Sequence, residues 1–194
     1  MFTGIISHIG KLKERRGSSY IFTTSSLFYK KLADGTSIAV NGVCLTVVDK
    51  GAANSFTVEI MPETVSRTML DKLKKADLVN LELPVTPYNL LSGHITYGHI
   101  DGMSKLTKII KRDNSRILKF SIFKSFSKYI VAKGSIAING ISLTVIEAAE
   151  EYFTVGIIPY TFANTNLHES NTGDLVNIEV DILAKYVEKL LQNE

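Results

Sequence analysis

One segment of the chain occurs twice and carries a different nucleophilic side chain in each copy. "NGVCLTVV" at residues 41–48 contains Cys44, and "NGISLTVI" at residues 139–146 has Ser142 at the matching position. Either group can hydrogen bond or act as a nucleophile, and a thiol reacts as its thiolate. A cysteine in an apolar strand is also often a small buried hydrophobe. The exchange therefore leaves two interpretations: indifference to this side chain, or two half-sites with unequal roles.

Two threonines accompany the thiol and the hydroxyl. Thr46 follows Cys44 by two residues, and Thr144 follows Ser142 in the same way. Side chains two apart on a strand point to the same face, so each threonine should lie beside its neighbour. Threonine also favours strands for conformational reasons alone, which remains an alternative. The pattern predicts one small polar cluster in each copy.

The duplication covers most of the chain. Three blocks recur closely and in order: "SIAVNGVCLTVV" from Ser37 as "SIAINGISLTVI" from Ser135, "FTVEIMPETVSRTML" from Phe56 as "FTVGIIPYTFANTNL" from Phe153, and "DLVNLEL" from Asp77 as "DLVNIEV" from Asp174. A looser match joins "GIISHIGKL" from Gly4 to "GHIDGMSKL" from Gly98. A spacing of about 97 residues is too long for a solenoid repeat and indicates a duplicated domain.

Each copy has the pattern of an antiparallel β-barrel. Segments such as "SIAV", "CLTVV" and "LVNLEL" are short, mix β-branched with apolar residues, and are bounded by turn residues. Asn-Gly between apolar runs favours tight hairpins, and closure of about six strands removes exposed edges. We predict an all-β fold of tandem six-stranded Greek-key barrels over residues 1–90 and 91–181, followed by a C-terminal α-helix over residues 182–194.

The C-terminal helix is predicted from its apolar spacing, and shorter helices are expected in "SSLFYKKL" and "FKSFSKYIV". An apolar stripe follows helical periodicity at Leu183, Tyr186, Val187, Leu190 and Leu191. This stripe can dock on the chain's own barrels or join other copies of the chain, and the sequence leaves both alternatives open.

Composition excludes several classes of protein. The 22 Lys and Arg residues exceed the 19 Asp and Glu residues only slightly, which argues against a nucleic-acid partner. One cysteine cannot form an internal disulfide, and four scattered histidines give no zinc-ligand spacing. We find no signal peptide and no apolar run of about 18 residues, so we expect a soluble cytoplasmic protein without a membrane partner.

Several motifs together resemble the riboflavin synthases of the trimeric α type. They are "MFTGII", the paired "NGVCLTV" and "NGISLTV", "GHITYGHIDG" at residues 93–102, the two "DLVN(L/I)E" segments and "VDILAKYVEKL". The resemblance implies the last step of riboflavin biosynthesis. Two molecules of 6,7-dimethyl-8-ribityllumazine dismutate by four-carbon transfer to riboflavin and 5-amino-6-ribitylaminopyrimidinedione, without a cofactor or metal.

The resemblance also implies an assembly. Each substrate pair would lie between the N-terminal barrel of one subunit and the C-terminal barrel of its neighbour, in a homotrimer held by the C-terminal helices. Association with lumazine synthase is a further partner that the resemblance leaves open.

Site residues follow from the same resemblance. The implied catalytic group is Cys44, His99, Ser142, Thr144, Asp181 and Lys133. The implied substrate-binding group is Phe2, Thr3, Gly4, Ile5, Ile6, Leu45, Thr46, Glu59, Ile60, Met61, Pro62, Glu63, Thr64, Gly98, Ile100, Leu143, Gly156, Ile157, Ile158, Pro159, Tyr160 and Thr161. Asp181 should also cap the last helix, and His94 is expected to support a turn.

Two positions depart from the expected pattern. Tyr160 stands where the first copy has Glu63, which changes the polarity of one pocket rim. Ser92 and Gly93 stand where the family more often has two glycines before the histidine. This second departure lies in the linker, so it bears on the angle between the barrels.

Three other functions compete with this interpretation. A lumazine or flavin carrier of the same fold would bind the ligand without turnover. A flavin-dependent oxidoreductase would need a nicotinamide domain, for which the chain has no room. A ligand-free pair of barrels would leave the repeated "NG(V/I)(C/S)LTV" motif unexplained.

Overall fold

The computed structural model describes residues 1–192, which form two closed six-stranded barrels and a C-terminal helix. The first barrel consists of β1 (His8–Arg16), β2 (Ser19–Thr23), β3 (Ser37–Val40), β4 (Val43–Gly51), β5 (Ser55–Glu59) and β6 (Leu78–Glu82). The second consists of β7 (Gly102–Arg112), β8 (Ser115–Ser121), β9 (Ser135–Ile138), β10 (Ile141–Ala148), β11 (Tyr152–Ile157) and β12 (Leu175–Val180).

The two barrels have the same antiparallel topology. Around the first barrel the strand order is β1-β2-β5-β4-β3-β6, and the second barrel repeats this order with β7-β8-β11-β10-β9-β12. Pairing of β6 with β1 closes the first barrel, and pairing of β12 with β7 closes the second. This crossed order confirms the predicted tandem Greek-key fold.

Each barrel has its own apolar core, because inward positions alternate with outward ones along the strands. Aromatic side chains fill the first core, where the rings of Phe22 and Phe56 stack at 5.7 Å. In the second core Phe120 and Phe153 stack at 5.4 Å at matching places. Outward positions are therefore left for chemistry on the barrel surfaces.

The two Asn-Gly turns lie where the barrels meet. Asn41 and Gly42 have φ of 46° and 78°, and Asn139 and Gly140 repeat both values, as a two-residue hairpin with positive φ requires. A Cβ built on Gly42 would lie 2.6 Å from the backbone nitrogen of Gly140. The glycines are therefore needed for the close approach of the barrels as well as for the turns.

Buried asparagines join the barrels across an approximate two-fold axis. Asn80 in β6 donates from its side chain to the carbonyl of Asn139 at 3.0 Å, and Asn177 in β12 donates to that of Asn41 at 2.9 Å. All four side chains are buried. The repeated "DLVN" and "NG" motifs therefore build the interface between barrels.

Short helices connect the strands and one longer helix ends the described chain. They are α1 (Ser26–Tyr29), α2 (Pro62–Arg67), α3 (Lys124–Ser127), α4 (Pro159–Ala163) and α5 (Ile182–Leu191), with 3-10 helices at Met69–Lys72 and Asn166–Glu169. The predicted helix over 182–194 is confirmed as far as Leu191, and its last two positions, 193 and 194, lie outside the described residues.

Polar contacts attach α5 to the second barrel and leave its apolar stripe uncovered. Lys185 pairs with Asp101 at 2.6 Å, and Glu188 bonds Lys128 and Tyr129. All five residues of the predicted stripe are more than half exposed. Of the two alternatives for this stripe, docking on the chain's own barrels is therefore excluded. Across residues 1–192, the helices fall short of the length and apolarity needed to cross a membrane.

Candidate active site

The repeated motifs form one polar surface on the outside of each barrel. Along β4 the side chains of Val43, Leu45 and Val47 are buried in the core, whereas Cys44 and Thr46 point outward. Register pairs Thr46 with Ser37 of β3, which places this serine on the same face. The prediction that Cys44 and Thr46 share a face is confirmed.

We call this face the Cys44 surface, and it consists of Ser37, Cys44, Thr46, Glu59 and Met61. Glu59 and Met61 belong to it because β5 pairs with β4 through Val47 and Val58, and continuing this register sets Glu59 beside Thr46 and Met61 beside Cys44. Both side chains are exposed. The surface thus combines a thiol, two hydroxyls, a carboxylate and an apolar rim.

The second barrel repeats this face with different chemistry. We call it the Ser142 surface, and it consists of Ser135, Ser142, Thr144, Gly156 and Ile158. Ser135 pairs with Thr144, and the pairing of Val145 with Val155 brings Gly156 and Ile158 into register. A hydroxyl replaces the thiol, and a glycine replaces the carboxylate of Glu59.

Two irregular segments lead into the barrels and pair with each other between these surfaces. Residues 2–5, the N-terminal crossing segment, precede β1, and residues 96–99, the linker crossing segment, precede β7. Phe2 donates to the carbonyl of Thr96 at 2.7 Å, and Thr96 donates back at 3.1 Å. Phe2 is almost fully buried, so the start of the chain is part of the folded structure.

Each crossing segment ends on the surface of the opposite barrel. The amide of Ser142 donates to the carbonyl of Gly4 at 2.7 Å, and the amide of Cys44 donates to the carbonyl of Gly98 at 2.9 Å. Gly4 and Gly98 have φ of +75° and +77°, and a Cβ on either would lie 2.6 Å from the Cβ of Ser142 or Cys44, respectively. Only glycine fits these two positions.

Buried glutamates hold the crossing segments. Glu82 accepts hydrogen bonds from the amide and hydroxyl of Thr3, both at 2.7 Å, and from the amide of Gly4 at 3.1 Å. Glu179 accepts from the amides of Tyr97 at 2.7 Å and Gly98 at 3.0 Å. Burial raises the pKa of both carboxyl groups, and these donors oppose that shift by stabilising the charged form.

A histidine outside the predicted site lies against Ser142. Nδ1 of His94 is 2.7 Å from Oγ of Ser142, and its Nε2 is buried without a partner among the residues described. Burial lowers the pKa of His94, while the charge of Asp181 acts in the opposite direction. His94 is therefore a neutral imidazole with one free ring nitrogen, suited to exchange a proton near Ser142.

Cys44 is protonated at neutral pH. Burial raises the pKa of its thiol, the α-amino group of Met1 opposes this shift, Glu179 adds to it, and a hydrogen bond with Ser37 opposes it. Because a thiolate is needed for nucleophilic attack, the structure gives no support to a covalent role for Cys44 at neutral pH.

Three other predicted residues lie near these surfaces. His99 is exposed beside Gly98 and stacks on Tyr97 at 5.8 Å. Lys133 is exposed in the turn before β9 with φ of 67°. Asp181 accepts from the amide of Leu183 at 3.0 Å, which confirms its prediction as the N-cap of α5.

Short helices form the rims. In the first copy α2 begins at Pro62, and Glu63 forms an exposed ion pair with Arg67 at 3.1 Å. In the second copy α4 begins at Pro159, and exposed Tyr160 replaces Glu63. Met61 and Ile158 precede these helices without capping them through their side chains, so the first-turn amides receive no side-chain cap from them.

The remaining predicted binding residues divide into two groups. Side chains exposed or partly exposed next to the surfaces belong to Ile5, Ile6, Thr64, Ile100 and Thr161. Side chains inside the barrel cores belong to Leu45, Ile60, Leu143 and Ile157. Members of this second group can offer a ligand only their backbone.

Sequence reasoning missed Ser37, Glu82 and Glu179, and it assigned His94 only to supporting a turn. The two glutamates left a signal, because "DLVNLE" and "DLVNIE" both end an apolar strand with a charged residue. No local sequence pattern indicates the contact between His94 and Ser142, since the two residues are 48 positions apart. Among residues 1–192 no group of three or more His, Cys, Asp or Glu side chains could hold a metal ion.

Comparison with known proteins agrees with this duplicated architecture. The family model described as "Lumazine binding domain" matches residues 3–84 and again residues 97–181. The chain therefore belongs to the lumazine-binding domain family, with one copy of the domain in each barrel.

Full-length relatives narrow this class. The chain is 42% identical to the riboflavin synthase of Actinobacillus pleuropneumoniae and 39% identical to that of Bacillus subtilis, and each match covers 98% of this chain and 90% of the relative. It is thus a member of the riboflavin synthases, which are transferases. The crystal structure of LumP complexed with riboflavin shares the fold, with a TM-score of 0.86, 24% identity and coverage of 93% of this chain and 99% of that one.

Proposed function

We propose that the chain converts two molecules of 6,7-dimethyl-8-ribityllumazine to riboflavin and 5-amino-6-ribitylaminopyrimidinedione by four-carbon transfer. The observation that carries the proposal is the pair of equivalent surfaces, one per barrel, each reached by a crossing segment from the opposite direction. A reaction between two identical substrates needs two similar binding sites, and holding both reactants makes the encounter effectively unimolecular.

Acid–base chemistry is assigned to the Ser142 surface. His94, Ser142 and Asp181 interact there, and the free nitrogen of His94 can take or return a proton. The 7-methyl group of the lumazine is acidic, because its anion is delocalised over the ring. Hydroxyls of Ser142 and Thr144 are then available to stabilise the anion as it forms.

Lys133 supports this assignment through its backbone. Its counterpart in the first copy is Gly35, and both have positive φ, at 67° and 80°. A side chain in this conformation costs roughly 1–2 kcal/mol compared with glycine. The second copy tolerates that cost and gains an exposed amine in the turn before β9, so we assign Lys133 to contact with the ligand.

The Cys44 surface is assigned to binding. Its protonated thiol, together with Ser37 and Thr46, offers hydrogen bonds, and the amides at the start of α2 can meet the pyrimidinedione edge. His99 belongs to the crossing segment that ends on this surface, so we assign it to the ligand there, and we assign the segment with Phe2, Thr3 and Gly4 to the ligand on the Ser142 surface.

The two ligands are proposed to meet between chains of a homotrimer. The paired crossing segments stand between the two surfaces of one chain, which opposes stacking of their ligands within it. A cleft of about 410 Å³ between the barrels is lined by Met69, Asn139 and Asn166 and involves neither surface. The uncovered stripe of α5 supplies an apolar face for assembly.

Two measurements test these proposals. Purified protein incubated with dimethylribityllumazine should release riboflavin, detected by its fluorescence, whereas a carrier would bind without turnover and ligand-free barrels would do neither. Light scattering should give three times the chain mass. Leu183→Glu with Leu190→Glu should give folded monomers without turnover, while Gln192→Glu, which adds its charge outside the stripe, should stay trimeric and active.

A further inference from the structure

Glu82 and Glu179 have no part in the chemistry above, yet they are the most deeply buried acidic side chains among the described residues. Only 5% and 4% of their surfaces are exposed. Burying a carboxylate is unfavourable unless hydrogen bonds compensate. Here the compensating donors all belong to the crossing segments. Burial of each carboxylate therefore depends on the position of its crossing segment, and the carboxylate in turn holds that segment in place.

The contacts connect each glutamate to the opposite barrel. Glu82 belongs to the first barrel, and the segment that it holds ends with Gly4 bonded to Ser142 in the second. Glu179 belongs to the second barrel, and the segment that it holds ends with Gly98 bonded to Cys44 in the first. Two hydrogen bonds in series thus join each carboxylate to the strand that carries the reactive side chain.

We propose that Glu82 positions the Ser142 surface and Glu179 positions the Cys44 surface, each acting across the barrel interface through a crossing segment. The importance of this arrangement for turnover rests on the proposed function, but the crossed connection itself stands on the geometry alone.

A local effect within one barrel would produce the opposite pattern. Ala39 pairs with both Cys44 and Glu82, so Glu82 lies on the same outer face as the thiol, about 10 Å away across two strand spacings. If a glutamate acted mainly on its own barrel, Glu82 would govern Cys44. The crossed connection assigns that role to Glu179.

The single thiol makes these alternatives distinguishable without substrate. Cys44 is partly exposed, and the charges that act on it are the α-amino group of Met1 and the carboxylate of Glu179. Replacing Glu179 with Gln removes a negative charge, which lowers the thiol pKa, and weakens the acceptor of two amides, which frees the covering segment. Both changes accelerate alkylation.

The experiment measures the alkylation rate of Cys44 by uncharged iodoacetamide between neutral and alkaline pH in native protein, Glu179→Gln and Glu82→Gln. We expect Glu179→Gln to react several-fold faster at neutral pH, because more of the thiol is then ionised and accessible. Glu82→Gln should react no faster than native protein, because it frees the segment next to Met1, whose positive charge favours the thiolate. Equal acceleration in both, or a larger one in Glu82→Gln, would overturn the proposal.

A second pair of variants covers the case in which a Gln variant fails to fold. Glu179→Asp and Glu82→Asp keep the charge but shorten the reach by one methylene. Glu179→Asp should still accelerate alkylation, and Glu82→Asp should not accelerate it. Turnover of native protein tests the proposed reaction separately. If alkylation responds to Glu179 and not to Glu82 but native protein shows no turnover, only the proposed reaction is wrong. If native protein shows normal turnover but alkylation does not respond in this way, only the crossed connection is wrong.

Discussion

The Cys44 and Ser142 surfaces share one backbone arrangement and the paired serine and threonine on it, and they differ in their other side chains. Gly4 and Gly98 match in φ, in their carbonyl contacts and in the Cβ clash that they avoid. At equivalent positions of the two copies, Cys44 corresponds to Ser142 and Glu59 to Gly156. Met61 corresponds to Ile158 and Glu63 to Tyr160. Duplication has thus kept the way in which a strand and a crossing segment are held, while several outward side chains around them have changed.

Proton-transfer capacity is the main difference. The Ser142 surface has a neutral buried imidazole on its hydroxyl, whereas the Cys44 surface has a protonated thiol. The Cys44 thiol, whose pKa burial raises, is instead under the electrostatic influence of the α-amino group of Met1, which lowers that pKa. This difference is the reason why the proposed function assigns proton exchange to the Ser142 surface and only binding to the Cys44 surface.

The largest effect should come from the shared backbone. Gly4→Ala and Gly98→Ala force a Cβ into left-handed backbone and against Ser142 or Cys44, so we expect turnover to fall at least about 100-fold, as displacements near 1 Å can cause. Steady-state kinetics measure this. Gly17→Ala is the control, since φ there is +61° with open space around it. Near-native turnover in Gly98→Ala would contradict the close approach.

Removing the reactive group of each surface should affect turnover to different extents. Ser142→Ala loses the hydroxyl that bonds His94, and we expect kcat to fall about 100-fold, the lower range for acid–base catalysis. Cys44→Ser keeps a hydrogen-bonding group, so its kcat should fall only several-fold, with KM carrying more of the change. Loss of kcat in Cys44→Ser equal to that in Ser142→Ala would show that the surfaces are chemically equivalent.

Extending the N-terminus should affect the Cys44 surface. Two residues added before Met1 move the α-amino charge away from Cys44, which raises the thiol pKa and slows alkylation, opposite in sign to Glu179→Gln. Turnover should fall about tenfold through disturbance of the crossing segment, while the fold persists. The same insertion after Asp113, in an exposed hairpin, is the control. Faster alkylation in the extended chain would contradict the role of this charge.

The smallest effect should be on pH dependence. Burial depresses the pKa of His94, and Asp181 partly restores it. Asp181→Asn removes that charge while keeping an N-cap, so the pKa of His94 falls further and the acidic limb of kcat/KM moves to lower pH. The variant then keeps activity at acidic pH where native protein has lost it. A limb that moves upward, or stays in place, argues against His94 as the titrating group.

Much of the fold could be predicted from the sequence, because the duplication shows most strand and turn patterns twice. The offset of two "NG" turns and two "DLVN" strands indicates tandem barrels, and alternation predicts that Cys44 and Thr46 share an outer face. Apolar spacing predicts α5 through Leu191. These are local patterns, which strand and helix periodicity express directly.

Contacts between distant segments could not be predicted in the same way. Nothing in "SGHITYG" indicates that His94 meets a serine 48 residues later, or that Gly98 covers a cysteine in the other barrel. These depend on how the crossing segments pair, which is set by tertiary hydrogen bonds to Glu82 and Glu179. The repeat of Glu82 and Glu179 is visible in the sequence, but the crossed direction of their contacts is not.

In the proposed homotrimer the exposed apolar side of α5 joins the subunits, so stability and activity would depend on protein concentration. Subunit association is governed by mass action, so the melting temperature should rise with concentration and specific activity should drop on dilution. A stock kept at high concentration and an assay run near the dissociation constant would then describe two different populations.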